Sequence, residues 1–315
     1  MILVLRALGL GDLATAVPAL RGLRAAFPEH EIALAAPRWL APLLPLTGAV
    51  DRHVPVAGLE PTRWAIPERP ALAVNLHGRG PQSHRLLATA GAPRMWAWAL
   101  PGEPGPVWRA DEHEVHRWCR LLAGYGVPTD PGDLDLRAPG GAGPSGVTIV
   151  HPGAKAPRRR WPAERFAAVA RELAARGHHV VVTGSLAERN LAARVATAAG
   201  LGTSAVLAGD TDLGELAALV SRARLVVAGD TGIGHLATAY RIPSVLLFGP
   251  VPPRLWGPPP DRPWHRALHP SAEGDLVDGV DVRLAAVGVS DVLTAARAAQ
   301  AARPRRAAPG GRARR

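Results

Sequence analysis

Leu225-Val-Val-Ala-Gly-Asp-Thr-Gly-Ile-Gly-His-Leu-Ala-Thr-Ala-Tyr-Arg-Ile-Pro-Ser-Val-Leu-Leu-Phe248 is the stretch that decides the fold. Leu225–Ala228 and Ser244–Phe248 are short apolar runs, as in strands buried on both faces. Between them, Gly234–Tyr240 spaces its apolar residues as a helix does. Strand, small-residue turn, helix and strand in that order make a βαβ unit, which demands a parallel sheet.

The same alternation extends outward in both directions. Upstream lie Val147–Val150 (strand), Ala163–Arg176 (helix), His179–Thr183 (strand), Leu186–Ala199 (helix), Ala205–Leu207 (strand) and Leu213–Ser221 (helix). Downstream, Gly249 to Pro270 is rich in Pro and Trp and reads as an ordered loop, and Asp291–Ala302 as a last helix. The first half repeats the scheme more loosely. Strands are expected at Ile2–Leu5, Ile32–Ala35, Ala71–Leu76 and Met95–Ala99, and helices at Leu13–Phe27, Trp39–Leu46 and Glu112–Gly124. Between the halves, Arg137-Ala-Pro-Gly-Gly-Ala-Gly-Pro-Ser-Gly146 is too dense in Gly and Pro to continue either element. The expected organisation is two Rossmann-like, doubly wound α/β domains, 1–138 and 147–302, facing a central cleft. Crevices at strand C-terminal ends are where such sheets bind ligands.

Four segments at those strand ends carry chemistry. Arg6-Ala-Leu-Gly-Leu-Gly-Asp12 is a strand-to-helix turn whose glycines, Gly11 among them, permit close backbone approach. Asp12 there is either a helix N-cap or a general base. His151-Pro-Gly-Ala-Lys-Ala-Pro-Arg-Arg-Arg-Trp-Pro162 places Lys155, Arg158 and Arg159 after a strand, and arginine forks match phosphate oxygens. In Asp230-Thr-Gly-Ile-Gly-His235, the N–H groups of Thr231 and Gly232 suit a diphosphate at a helix start, with His235 on the first turn. Phe248-Gly-Pro-Val-Pro-Pro-Arg-Leu-Trp-Gly-Pro258 is stiffened by proline and should line the same cleft.

As an ordered set these segments resemble glycosyltransferase family nine, the ADP-heptose:lipopolysaccharide heptosyltransferases. The resemblance rests on Ala7-Leu-Gly-Leu-Gly-Asp12 with Pro18-Ala-Leu20, on Pro152-Gly-Ala154 with Arg159-Arg-Trp-Pro162, on Asp230 to Ala237, and on Phe248 to Pro253. It implies a GT-B fold with an N-terminal acceptor domain and a C-terminal nucleotide-sugar domain. It also implies an inverting, metal-free transfer from a nucleotide diphosphate donor, ADP-linked, carrying a heptose-type sugar or hexose. Asp12 is then the catalytic base. Arg159, Thr231, Gly232 and His235 bind the leaving phosphate, Asp230 orients the donor or caps the helix, and Glu188 lies near the ribose. Arg159 stands where the family has lysine, and His77, a further cleft contact, where it often has glutamine. An alternative on the same architecture is a nucleotide-sugar epimerase or hydrolase.

Composition bounds the remaining classes. Of 315 residues 47% are apolar but only 4% aromatic, so the cores are built of Ala, Leu and Val. The net charge is +11, and Lys155 is the only lysine. Six of the arginines lie in the acid-free, Pro/Gly-rich tail 303–315, which is expected to be a disordered, solvated end; without them the charge is +5. A non-catalytic nucleic-acid or glycan binder using that tail ranks last. No apolar run approaches the roughly 20 residues of a membrane span, and the N-terminus enters a strand directly. A cytoplasmic monomer is expected, with no nucleic-acid partner and at most peripheral membrane contact. Cys119, alone, is expected to be half-buried. The Asp-x-Asp pairs Asp133/Asp135 and Asp210/Asp212 read as incidental, so no metal or other cofactor is expected.

Overall fold

The computed structural model describes residues 1–60, 64–140 and 144–303. The tail expected to be disordered lies, Arg303 apart, outside the described residues, as do residues 141–143 of the expected linker.

The first half builds one five-stranded parallel sheet from β1 (Ile2–Leu5), β2 (Ile32–Ala36), β3 (Arg52–Pro55), β4 (Leu72–Asn75) and β5 (Met95–Trp96), in the order β3-β2-β1-β4-β5. Ile2 lies opposite Ile32 on one side and Leu72 on the other. The helices are α1 (Leu10–Ala26), α2 (Gln82–Ala88) and α3 (Glu114–Ala123). β1, β2 and β4 are buried throughout; β1 and β2 read as unbroken apolar runs, and β4 does so up to its last residue, the buried Asn75.

The second half repeats the plan with β6 (Thr148–His151), α4 (Ala163–Ala175), β7 (Val180–Val182), α5 (Arg189–Ala198), α6 (Leu213–Ser221), β8 (Leu225–Gly229), α7 (Gly232–Ala239), β9 (Ser244–Leu247), α8 (Pro253–Trp256) and β10 (His265–Leu268). Its sheet order is β10-β9-β8-β6-β7, again all parallel. A two-residue hairpin, β11 (Leu276–Val277) with β12 (Val280–Asp281), and helices α9 (Val282–Ala286) and α10 (Val289–Ala301) follow.

Several expectations are corrected. Ala205–Leu207 is not a strand: Thr203–Ala205 forms a 3-10 turn, and only Val206 makes a bridge, to Val182. The stretch 249–270 is not all loop, because it holds α8 and the edge strand β10. The helix expected over Trp39–Leu46 is a pair of 3-10 turns, Arg38–Leu43 and Pro45–Thr47. Cys119 is fully buried rather than half-buried, and burial pushes its thiol up to about 11.

The two halves are not separated by an open gap along their whole length. One apolar cluster runs through both, joining Ile2, Val17 and Leu20 of the first half to Ile149, Leu236 and Ile242 of the second. Helix α1 packs directly on α7.

Candidate active site

Both sheets reverse their winding beside their first strand. In the first sheet the switch falls between β1 and β4, and in the second between β6 and β8. Loops leaving such a pair turn to opposite faces and open a crevice. The segments after β1, β6 and β8 line one cavity of about 690 Å³, joined by the loops after β7 and β9.

The first-half wall is the start of α1. Its N-cap is Gly9, not Asp12; Asp12 is the third helical residue and accepts the Gly9 N–H on Oδ2 at 3.0 Å. Its side chain remains 26% exposed and lines the cavity, so the local bond does not withdraw it from chemistry. Behind it His77 accepts the Ala7 N–H on Nδ1 at 3.2 Å. Burial and the neighbouring Arg6 depress the His77 imidazole to about 4, so it is neutral at ordinary pH with its proton on Nε2. His77 stands beside the Asp12 turn and is not part of the cavity wall.

The second-half wall is the start of α7. Thr231 is its N-cap, with extended backbone and no side-chain capping bond. First-turn N–H groups of a helix have no intrahelical acceptor, and Thr231, Gly232 and Ile233 all line the cavity. Asp230 does not cap the helix. It pairs with Arg159, whose Nη2 also lies 3.4 Å from the Asp230 carbonyl oxygen. The other N–H groups of Arg159 have no protein acceptor among the described residues. His235, on the first turn, meets the ring of Trp256 edge-on at 5.9 Å. Burial holds its imidazole below the usual range against the opposing pull of Asp230 and Asp12.

Farther along the cavity, Glu188 accepts the Ser185 N–H and hydroxyl, each at 2.9 Å. Burial raises its carboxyl, but the Ser185 bonds, His151 and Arg160 outweigh that, and the group stays ionised below the ordinary range. Lys155 lines the cavity; Arg158 is exposed outside it. Sequence reasoning missed Trp39, an indole 52% exposed on the cavity wall, as well as His151 and the wall position of Asp212. Each carboxylate of the Asp-x-Asp pairs has a partner among the described residues. Asp212 caps α6 through the Glu215 N–H at 2.8 Å, Asp210 pairs with Arg189, Asp133 with Arg21, and Asp135 with Arg241 and Arg262.

The cavity thus brings a carboxylate on one wall against an anion cradle of helix N–H groups and a guanidinium on the other. A proton acceptor facing a site for a negatively charged leaving group is the equipment of group transfer from a diphosphate.

The sequence pattern of glycosyltransferase family 9 (heptosyltransferase) matches residues 108–271, a little over half of the chain. The chain belongs to glycosyltransferase family 9. The matched stretch holds Arg159, Glu188 and Asp230 to His235; Asp12 lies upstream of it. Lipopolysaccharide heptosyltransferase 3 of Escherichia coli is 30% identical over 157 residues, 47% of this chain and 45% of that protein. The match therefore spans under half the length of that relative. Among solved structures, Escherichia coli ADP-heptose lipopolysaccharide heptosyltransferase II superposes with a TM-score of 0.76 at 22% identity, over 95% of this chain and 98% of that one. A family 9 glycosyltransferase from Veillonella parvula gives 0.76 at 22%, over 95% and 97%. The Escherichia coli heptosyltransferase WaaC, solved with ADP, gives 0.69 at 19%, over 93% and 98%. These likenesses carry the fold: the facing twin sheets are a GT-B arrangement.

Proposed function

We propose that the chain is an inverting, metal-independent glycosyltransferase moving a heptose-type sugar or hexose from an ADP-linked donor to a hydroxyl of a glycan or other acceptor. The observation that carries this is one cavity joining the Asp12 carboxylate to the start of α7. Residues 1–138 hold the acceptor, and residues 147–302 hold the donor.

Asp12 takes the proton of the acceptor hydroxyl as its oxygen attacks the anomeric carbon. The diphosphate leaves from the opposite face, which inverts that carbon. Its growing negative charge meets the N–H groups of Thr231 and Gly232, the Arg159 guanidinium and one N–H of neutral His235. Fixed protein charges thereby do what a divalent cation does in metal-dependent transferases. Lys155 adds positive charge at the rim. Asp230 keeps Arg159 in place, and Glu188, ionised, accepts the ribose hydroxyls. His77, with Nδ1 occupied by the Ala7 N–H, supports the turn that carries Asp12. Among the described residues no helix is long and apolar enough to cross a membrane.

Replacing Asp12 with Asn tests the reading. Transfer is expected to fall by about 10²- to 10⁴-fold, the typical worth of a general base, while ADP binding stays as in the parent. Turnover near that of the parent would remove Asp12 from the mechanism.

A further inference from the structure

Arg6 is 1% exposed, among the largest fully buried side chains of the molecule. A buried guanidinium is costly unless each N–H group is answered. Here Nε donates to the Asp12 carbonyl oxygen at 2.6 Å and Nη1 to the Leu76 carbonyl oxygen. Nη2 donates to Thr15 Oγ1 at 3.2 Å and to Glu114 Oε1 at 3.1 Å, and lies 3.6 Å from Asp12 Oδ1. The guanidinium stacks on Trp118 at 4.7 Å. Arg6 therefore ties the first turn of α1 to the loop after β4 and to α3. Glu114 is the buried counter-charge, 6% exposed at its side chain. It also accepts the Trp118 Nε1–H at 2.8 Å and pairs with Arg117. Burial raises the Glu114 carboxyl, yet Arg6 and then Arg117 hold it below its ordinary value, so it is ionised.

We infer that Arg6, anchored by Glu114, is a positioning residue that fixes the Asp12 carboxylate toward the cavity. This rests on the reading of Asp12 as the base. The inner edge of that carboxylate has two restraints, the Gly9 N–H on Oδ2 and the Arg6 cation beside Oδ1. With both in place the outer lone pairs are the ones left for an acceptor proton. Arg6 lies behind the catalytic turn and is not on the cavity wall, so its loss should affect orientation and leave donor contacts unchanged.

The test compares the parent enzyme with the double variant R6M/E114Q, with R6K and with D12N. The double variant removes one charge of each sign; its amide oxygen replaces only one of the two carboxylate oxygens, and Arg117 keeps its bonds to the Arg109, Ala110 and Glu112 carbonyl oxygens. Measured are kcat, the ADP dissociation constant and the melting temperature. We expect kcat of the double variant to fall about 10- to 100-fold, the scale of a misplaced reacting group, with ADP binding within about twofold of the parent's. R6K should recover part of that loss. A folded double variant with kcat within twofold of the parent overturns the inference, and so does a loss of ADP binding as large as the loss of kcat. If the double variant does not fold, R6K decides: reduced kcat with unchanged ADP binding supports the role, and unchanged kcat overturns it. D12N separates the two levels. An active D12N sinks the base assignment, and this inference with it. An inert D12N beside a fully active double variant sinks only the role of Arg6.

Discussion

Gly153 has no side chain, and the Glu188 carboxylate occupies the space one would fill. A methyl group there overlaps the Glu188 oxygens, which sit at the end of a flexible chain and can move aside. The G153A variant should therefore keep its melting temperature and lose donor affinity about tenfold or more, the worth of a displaced charged hydrogen bond. Calorimetry with ADP beside a melting curve checks this; equal affinity would detach Glu188 from the donor. At this scale much of the site was legible. Asp12, Arg159 and His235 were legible as candidates because they sit in the segments that follow strands, whereas Glu188 was singled out only through the family resemblance; all four line the one cavity. Arg6 was not legible, because its partner Glu114 is 108 residues away and only the packing of α3 brings them together. Trp39 was hidden for the same reason: its place on the cavity wall depends on the turn after β2 packing against α6.

The starts of α1 and α7 fit together through two glycines. A Cβ at Gly232 would stand 2.8 Å from three atoms of Leu10, and one at Gly11 2.8 Å from Cδ2 of His235. Each helix thus lacks a side chain where the other supplies one, and the base and the phosphate cradle reach one cavity. G232A should cost about 1–3 kcal/mol, the usual penalty of overpacking, and reduce turnover as the helix starts are pushed apart. Urea unfolding and a transfer assay measure both; an unchanged midpoint would show that the contact has slack. Buried elements such as β1, β4, β8 and β9 were legible as apolar runs. Edge elements were not. β3 is Arg-His-Val-Pro, and β10 lies in a Pro-rich stretch that reads as loop, yet a strand with one free edge tolerates both polarity and nearby proline. Val206 showed the opposite error: an apolar triplet that makes a single bridge at the edge of β7.

Across the whole molecule, each half places its functional loops where its strand order reverses, and the α1–α7 contact turns the two reversal points toward each other. The alternation of strands and helices was enough to give two doubly wound sheets. The linker and the strand-end rule placed a cleft between them, but not the apolar contact that joins the halves, because the cluster linking Val17 and Leu20 to Leu236 and Ile242 brings together residues more than 200 positions apart. The proposed function requires a nucleotide-sugar site at the start of α7. Thermal denaturation with ADP, UDP and GDP in parallel tests it most directly. The largest upward shift is expected with ADP, about 2.7 kcal/mol of added stability at 100 times its dissociation constant. No shift with any of the three nucleotides would contradict it.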